Sequence, residues 1–566
     1  MKKVFLFLIL LFAVHYSLFT YLYAAETPKK AKLPKTPDAV EKGKIIYFKR
    51  CSFCHGLTGA GDGPAAHQMI PRPRDFTKGL YKFRTTNSGE LPTDEDLFRT
   101  ISRGIPGTTM QTFDSDKIKN GLTEEERWQV IYYIKTFYPD FADPEFDPYK
   151  QVVKVAKEIS SSANSIEKGK KIFQEMKCWE CHGDGGKGNG PNAPKLKDKF
   201  REDPILPFDL TKGWRYKAGN TAKDIYMRFN TGLNGTPMPS FTDSLNDEER
   251  WHLANFVVSL QKKEVNAESV LKAKPVKGEL PAAPDDTAWE KAESIDVLLS
   301  GQVVAKPRWE NPSVDLVAVK ALYNDKEIAF LMEWGDRFKD AVHQSDLEYK
   351  APAAYDGYAS WEDMPRKPGN FRDSVALQFP VKMPEGTKKP HFFRGDSGNP
   401  VNLWVWKADM EEAGKPSIEE ANAGSFSQPL KVQPLENQAV KGKGIWKDGV
   451  WRVVMKRPLV TEDKNDVQFE KGRFIPMALN VWDGSNGEHN LLMSLSTWNY
   501  LILESPAPIK VYLYTLLAVA LTGLGEFWLL RKNKKYRGES FPLLKRGMEG
   551  DLKRPLTGRG DQANHR

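Results

Sequence analysis

The sequence predicts a multidomain chain of two all-α domains, then an all-β antiparallel sandwich, then one C-terminal transmembrane helix. Three observations predict it. A unit occurs twice, at 40–138 and 165–260, and each copy opens and closes on a helical apolar pattern. From 280 to 505 the texture changes to short alternating or β-rich runs separated by turn residues. Val511–Leu530 then forms one apolar stretch, followed at once by Arg531-Lys532-Asn533-Lys534-Lys535. A chain of 566 residues is too long for a single hydrophobic core, so several units are expected.

The two copies correspond piece by piece. Glu41-Lys42-Gly43-Lys44-Ile45-Ile46-Tyr47-Phe48 opens the first and Glu167-Lys168-Gly169-Lys170-Lys171-Ile172-Phe173 the second. Each continues with a Cys-x-x-Cys-His run, at Cys51/Cys54/His55 and Cys178/Cys181/His182, and a Gly-rich loop, Gly59–Pro64 or Gly185–Pro191. Asp75-Phe76-Thr77-Lys78-Gly79 matches Asp209-Leu210-Thr211-Lys212-Gly213. The closing helices, Thr123–Phe137 and Asn246–Leu260, begin with acids, as the helix dipole favours. They align Trp128, Ile131 and Ile134, or Trp251, Ala254 and Val258, on one face. Between the copies, Pro139, Pro144 and Pro148 mark Tyr138–Pro148 as a short linker.

A Cys-x-x-Cys-His run is the signature of c-type haem attachment: each thiol adds to a haem vinyl group, and the His supplies one axial nitrogen to iron. A second axial ligand is needed on the opposite face, and a thioether sulfur raises the reduction potential. Met110 in Gly104-Ile105-Pro106-Gly107-Thr108-Thr109-Met110 and Met238 in Gly232-Leu233-Asn234-Gly235-Thr236-Pro237-Met238 supply it, fifty-five and fifty-six positions after the His. Zinc binding or a redox dithiol would also use paired cysteines, but neither explains a His after both pairs or a Met at matching offsets. An ordinary core role is the competing reading for the methionines. Met69 and Met227 do not fall at equivalent places in the repeat.

Residues 40–138 and 165–260 therefore resemble class I cytochrome c domains. The resemblance implies a small helical fold around each of two covalent haem c groups, with an exposed haem edge for electron exchange. Lys82, Arg84, Arg215 and Lys217 are candidate partners of the haem propionates.

Ten of the fifteen tryptophans lie between 280 and 505. The strand-like runs there are Val314–Ala318, Glu327–Glu333, Ser374–Phe379, Val401–Trp406, Val450–Lys456 and Phe474–Trp482. Asp285-Asp286-Thr287-Ala288-Trp289, Asp373-Ser374-Val375-Ala376-Leu377-Gln378-Phe379-Pro380, Gly395-Asp396, Asn402-Leu403-Trp404-Val405-Trp406 and Leu479-Asn480-Val481-Trp482-Asp483-Gly484 carry a second likeness. The region resembles the haem-binding gamma subunit of ethylbenzene dehydrogenase and its relatives in the type II dimethyl-sulfoxide-reductase family. In those relatives the sandwich holds a b-type haem between Met and Lys. Here Arg394 stands where the Met is expected and Met493 where the Lys is expected. Arg stays protonated and ligates iron poorly. Three outcomes stay open: haem b held by Met493 with a substitute such as His391, a five-coordinate haem b, or a docking domain without haem.

The twenty residues of Val511–Leu530 match a hydrocarbon core of about 30 Å, with Glu526 at the cytoplasmic edge. The segment at 531–566 holds eleven Lys/Arg against four acids and reads as a disordered cytoplasmic tail. Residues 1–25 read as an export signal: Lys2-Lys3, the apolar run Val4–Val14, and a cleavage site at Leu22-Tyr23-Ala24. An uncleaved anchor is the alternative. These two ends hold all of the net charge of +9, so the body is neutral, which excludes nucleic-acid binding.

The expected function is electron transfer at the periplasmic face of a bacterial cytoplasmic membrane, by a chain with a single C-terminal anchor. It would run between a molybdenum oxidoreductase, of the nitrate or nitrite oxidoreductase kind, and the respiratory chain, reached through other cytochromes or quinol-linked complexes. All four cysteines belong to the two motifs, so the molybdenum catalytic and iron–sulfur subunits must be other polypeptides. A stand-alone enzyme such as a dihaem peroxidase is the alternative, and it needs an iron with an open sixth position. A haem sensor signalling through the short tail is a weaker third reading.

Overall fold

A computed structural model describes residues 32–262, 264–341, 371–385, 388–504 and 509–536. The segment 1–25 expected to be an export signal and the expected tail beyond Tyr536 lie outside the described residues. The chain divides into two units, Met1–Glu504 and Ser505–Arg566.

The helical half of the first unit follows the repeat. In the first copy, α1 (Pro37–Arg50), α2 (Ser52–His55), α3 (Asp94–Arg103) and α4 (Glu124–Ile134) surround a core of Tyr47, Leu97, Ile101, Trp128 and Ile131. In the second, α5 (Ala163–Glu175), α6 (Trp179–His182), α7 (Ala222–Thr231) and α8 (Asp247–Ser259) surround Phe173, Ile225, Tyr226, Trp251 and Ala254. The acids that open α4 and α8 complete capping boxes: Glu126 with Thr123, and Glu249 with Asn246. Reciprocal side-chain bonds thereby satisfy amide groups that the helix itself leaves unpaired.

The opening helix crosses the closing helix at a glycine in each copy. A Cβ on Gly43 would stand 2.0 Å from the Gln129 carbonyl oxygen, and one on Gly169 would stand 2.1 Å from that of His252. Only a residue without a side chain allows this approach. Gly43→Ala and Gly169→Ala are each expected to force the helices apart and lower stability by roughly 1–3 kcal/mol, read by thermal unfolding.

The segment Tyr138–Pro148 is more ordered than a linker. It forms successive 3-10 turns, Pro139–Ala142, Pro144–Phe146 and Pro148–Gln151, each beginning on a proline. Asp143 and Asp147 cap the second and third, and Phe141 packs edge-on to Tyr81 at 5.9 Å.

The sheet half departs from the expected antiparallel order. Its strands run Lys441–Lys447, Val450–Pro458, Glu327–Gly335, Leu316–Tyr323, Val270–Pro275, Asn499–Leu503, Ile475–Trp482, Ser374–Pro380, Val401–Lys407, Ile418–Ala423 and Lys431–Val432. Val270–Pro275 is parallel to both neighbours, so the sheet is mixed. This strand precedes 280 and alternates with lysines, so its sequence resembles a connection. It enters from the helical half and inserts between strands already running its way, a placement that no tight hairpin can make. The predicted runs fall on strands, except that Val314 and Asp315 precede Leu316–Tyr323 and Phe474 precedes Ile475–Trp482. The two ends of the sheet fold face to face, with Phe330 5.8 Å from both Phe379 and Trp404 and Trp334 6.3 Å from Trp406.

The second unit contains the helix Ile509–Tyr536. Its segment Lys510–Lys532 is 23 residues long and apolar enough to cross a membrane.

Candidate functional site

Each Cys-x-x-Cys-His run folds as one short helical turn ending on its His. The Gly-rich loop then doubles back over the turn. Gly61 N donates to the His55 carbonyl at 2.8 Å and Gly188 N to that of His182 at 2.7 Å. Gly63 and Gly190 donate likewise to Cys54 and Cys181, at 3.2 and 3.1 Å. The reversal starts at Gly56 and Gly183, whose φ values of 79° and 71° favour a residue without Cβ.

The imidazoles are held the same way in both copies. His55 Nδ1 lies 3.0 Å from the Arg74 carbonyl oxygen, and His182 Nδ1 lies 3.0 Å from that of Phe208. A carbonyl accepts only, so Nδ1 carries the proton and Nε2 keeps its lone pair. Among the described residues, Nε2 has no hydrogen-bond partner in either copy. Burial lowers the pKa of both rings, that of His55 to about 4, so both are neutral at physiological pH. Phe76 stacks on His55 at 4.5 Å.

These acceptor carbonyls explain the repeated Asp-x-Thr-Lys-Gly segment. Asp75 accepts from the amide and hydroxyl of Thr77 at 2.9 and 2.6 Å, and Asp209 accepts from those of Thr211 at 3.0 and 2.6 Å. Each turn fixes the residue just before the Asp, whose carbonyl receives the imidazole.

The methionine loops also coincide. Ile105 N donates to the Met110 carbonyl at 2.8 Å and Leu233 N to that of Met238 at 3.1 Å. Thr108 and Thr236 hydroxyls each donate to the first loop carbonyl at 2.8 Å and accept from the Met amide at 3.2 Å. Met110 and Cys51 pack against the first helical core, Met238 and Cys178 against the second. Burial pushes the Cys51 thiol up to about 12 and the Cys178 thiol up to about 11, so both are neutral thiols before any covalent chemistry.

The four candidate propionate partners separate. Lys82 and Lys217 occupy equivalent places and burial lowers each to about 8, which calls for a nearby anion. Asp198 stands 3.8 Å from Lys82, whereas Lys217 has no ion-pair partner among the described residues. The buried Tyr81 hydroxyl has no hydrogen-bond partner among the described residues. These unpaired groups suit the carboxylates of a bound haem. Arg84 instead joins the two copies: it donates to the Thr231 carbonyl at 2.7 Å, while Arg228 donates to the Arg84 carbonyl at 2.7 Å. Arg215 turns to Asp315 at 3.4 Å.

In the sheet half, Met493 is wholly buried with Phe393, Trp482 and Leu495. Phe392, which packs against that cluster, stacks on His391 at 4.6 Å. His391 Nδ1 accepts from the Phe393 amide at 3.2 Å. Arg394 holds a left-handed backbone at φ 58° and donates to the Asn490 carbonyl at 3.5 Å.

The duplicated arrangement is that of a c-type cytochrome. Residues 40–137 and 166–261 match the cytochrome c family, and residues 286–422 and 430–494 match the ethylbenzene dehydrogenase family. By these matches the chain contains tandem cytochrome c domains joined to an ethylbenzene dehydrogenase-type domain, and the cytochrome c domains imply covalent haem c. It is 25% identical to a putative respiratory nitrate reductase heme subunit of Haloferax mediterranei, over 46% of this chain and 82% of that protein. It is 26% identical to the dimethylsulfide dehydrogenase subunit gamma of Rhodovulum sulfidophilum, over 40% and 78%. A chain of the Kuenenia stuttgartiensis reducing HAO-like protein complex is 48% identical, with 39% of this chain and 96% of that one covered at a TM-score of 0.37.

Proposed function

We propose that this chain is a dihaem electron-transfer subunit anchored by its C-terminal helix to the periplasmic face of the cytoplasmic membrane. It connects a molybdenum oxidoreductase to the respiratory chain. The duplicated imidazole clamp, with Nδ1 3.0 Å from a carbonyl in each copy, carries this reading. Cys51 and Cys54 attach the first haem and Cys178 and Cys181 the second. His55 with Met110, and His182 with Met238, would ligate the two irons, while Lys82 and Lys217 would pair with the haem carboxylates. When bound, haem iron supplies one-electron redox chemistry. If the sheet half takes a b-type haem, Met493 and His391 are its proposed ligands.

The surface near the first motif supports an exchange role. Phe53 and Leu57 flank its second Cys and are 66% and 69% exposed. Such an apolar rim suits transient docking of a redox partner. The subunits named by the two curated relatives favour a molybdenum-enzyme partner over the peroxidase alternative.

Gentle purification from membranes tests the assignment. Molybdenum and iron–sulfur subunits are expected to co-purify, with haems reduced by the partner's substrate or oxidised by its electron acceptor. A chain that purifies alone and turns over peroxide rapidly would contradict it.

A further inference from the structure

Two acids within the sheet-half motifs, Asp373 and Asp483, have no part in the haem sites. The fold brings them together with Asp336, and one oxygen from each lies within 4.8 Å of the others. They come from three separate places: the end of Glu327–Gly335, the start of Ser374–Pro380 and the end of Ile475–Trp482. Their exposures are 3%, 0% and 4%.

Burial and the neighbouring carboxylates hold Asp336 and Asp373 well above the usual carboxylate range, so the cluster needs an added positive charge to ionise fully. Asp373 Oδ1 accepts from Gly484 N at 2.9 Å, and its Oδ2 accepts from Asp340 N at 2.8 Å and from Trp451 Nε1 at 2.9 Å. Asp483 Oδ1 accepts from the Ser485 hydroxyl at 2.6 Å and from Asn486 N at 3.1 Å. Asp336 Oδ1 accepts from Phe338 N at 3.3 Å, but its buried Oδ2 has no partner among the described residues. No Lys or Arg forms an ion pair with any of the three among the described residues. Lys212, which lines the same recess, is paired with Asp315 at 2.7 Å.

Asp336 and Asp483 open onto a small cavity of about 20 Å³, walled also by Gly335, Arg337, Gly449 and Ser313 and by Lys187, Asp209 and Lys212 of the second copy. Ser313 Oγ is buried there without a partner among the described residues. Calcium takes six to eight oxygens at about 2.3–2.6 Å, so oxygens on opposite sides of it stand roughly 4.8 Å apart. The cluster is compact enough for one oxygen from each acid to reach a single such ion, and its donors are all oxygen.

We propose that Asp336, Asp373 and Asp483 bind one calcium ion, which staples three strand ends of the sheet beside the second cytochrome domain. The ion neutralises charges that otherwise repel one another inside the fold, and it gives Asp336 Oδ2 its missing partner. Asp209 lines the cavity and follows Phe208, the residue whose carbonyl holds His182, so the staple also braces the turn behind the second haem site.

The test uses the full chain, purified in mild detergent with about 1 mM calcium and dialysed into metal-free buffer. Calcium is measured per chain by elemental mass spectrometry, and thermal unfolding is followed with EGTA, calcium or magnesium. Close to one calcium per chain is expected, with an unfolding temperature that falls in EGTA and recovers with calcium but not magnesium. Asp336→Asn and Asp483→Asn should each lose the calcium and the EGTA response while keeping the haem c absorbance. Calcium below about one-tenth per chain, with the same unfolding temperature in EGTA and calcium, overturns the proposal. Retention of calcium by both variants also overturns it. If a variant fails to fold, the wild-type calcium content and EGTA response still decide.

Discussion

Replacing Met238 with His is expected to lower the reduction potential of one haem by on the order of 100–300 mV, within the roughly 0.8 V that axial ligands span. The sulfur is a weak donor that favours the reduced iron, whereas a second imidazole favours the oxidised one. The variant should keep both covalent attachments, because Cys178, Cys181 and His182 are untouched. Redox titration followed by visible absorbance should show one component displaced and the other unmoved, and the Met–iron absorbance band of the oxidised protein should fall by about half. Met110→His should displace the other component. An unchanged titration in either variant would show that its Met is a core residue and not a ligand.

Arg457→Leu is expected to destabilise the sheet half by about 3–5 kcal/mol. Arg457, Glu420 and Asp466 are all fully buried, with Nη1 of the Arg 3.6 Å from Glu420 and 3.4 Å from Asp466. The guanidinium also lies 4.9 Å from the ring of Trp404 and 5.4 Å from that of Phe469. Removing it leaves two carboxylates with no countercharge inside the core. Hydrogen bonds hold both in place: Glu420 accepts from Val440 N at 2.7 Å, and Asp466 accepts from the Thr461 hydroxyl at 2.7 Å. Denaturant unfolding should show the loss. A triple variant that also carries Glu420→Gln and Asp466→Asn should recover much of it. If the single variant is as stable as wild type, the buried charge does not have the role assigned to it.

The helical half was legible because duplication made every short motif appear twice. Cys-x-x-Cys-His, the Gly-rich loop, the methionine loop and the acid-led closing helices all fall at equivalent places in the structure. The partners of the imidazoles were not legible, since Arg74 and Phe208 act through their carbonyls and share no side-chain chemistry. Lys82 and Arg84 illustrate another limit. Both are basic and lie two positions apart, yet one is a half-buried cation beside Asp198 and the other a clamp between the copies. Composition cannot separate them, because the difference depends on packing.

In the sheet half, alternation located most strands but not their direction. Val270–Pro275 reads as a lysine-rich connection, and only the completed sheet gives it a central, parallel place. The meeting of Asp336, Asp373 and Asp483 was equally hidden, because they are brought together across more than a hundred residues of sequence by the ends of three strands.

The central claim is that each copy carries its own thioether-linked haem. The purified chain can be extracted with acidified acetone and its residual pigment quantified as the alkaline pyridine complex against protein concentration. Two haems per chain should stay with the polypeptide, and any b-type haem should pass into the solvent. A chain that is colourless, or whose pigment leaves entirely with the acetone, would contradict the account.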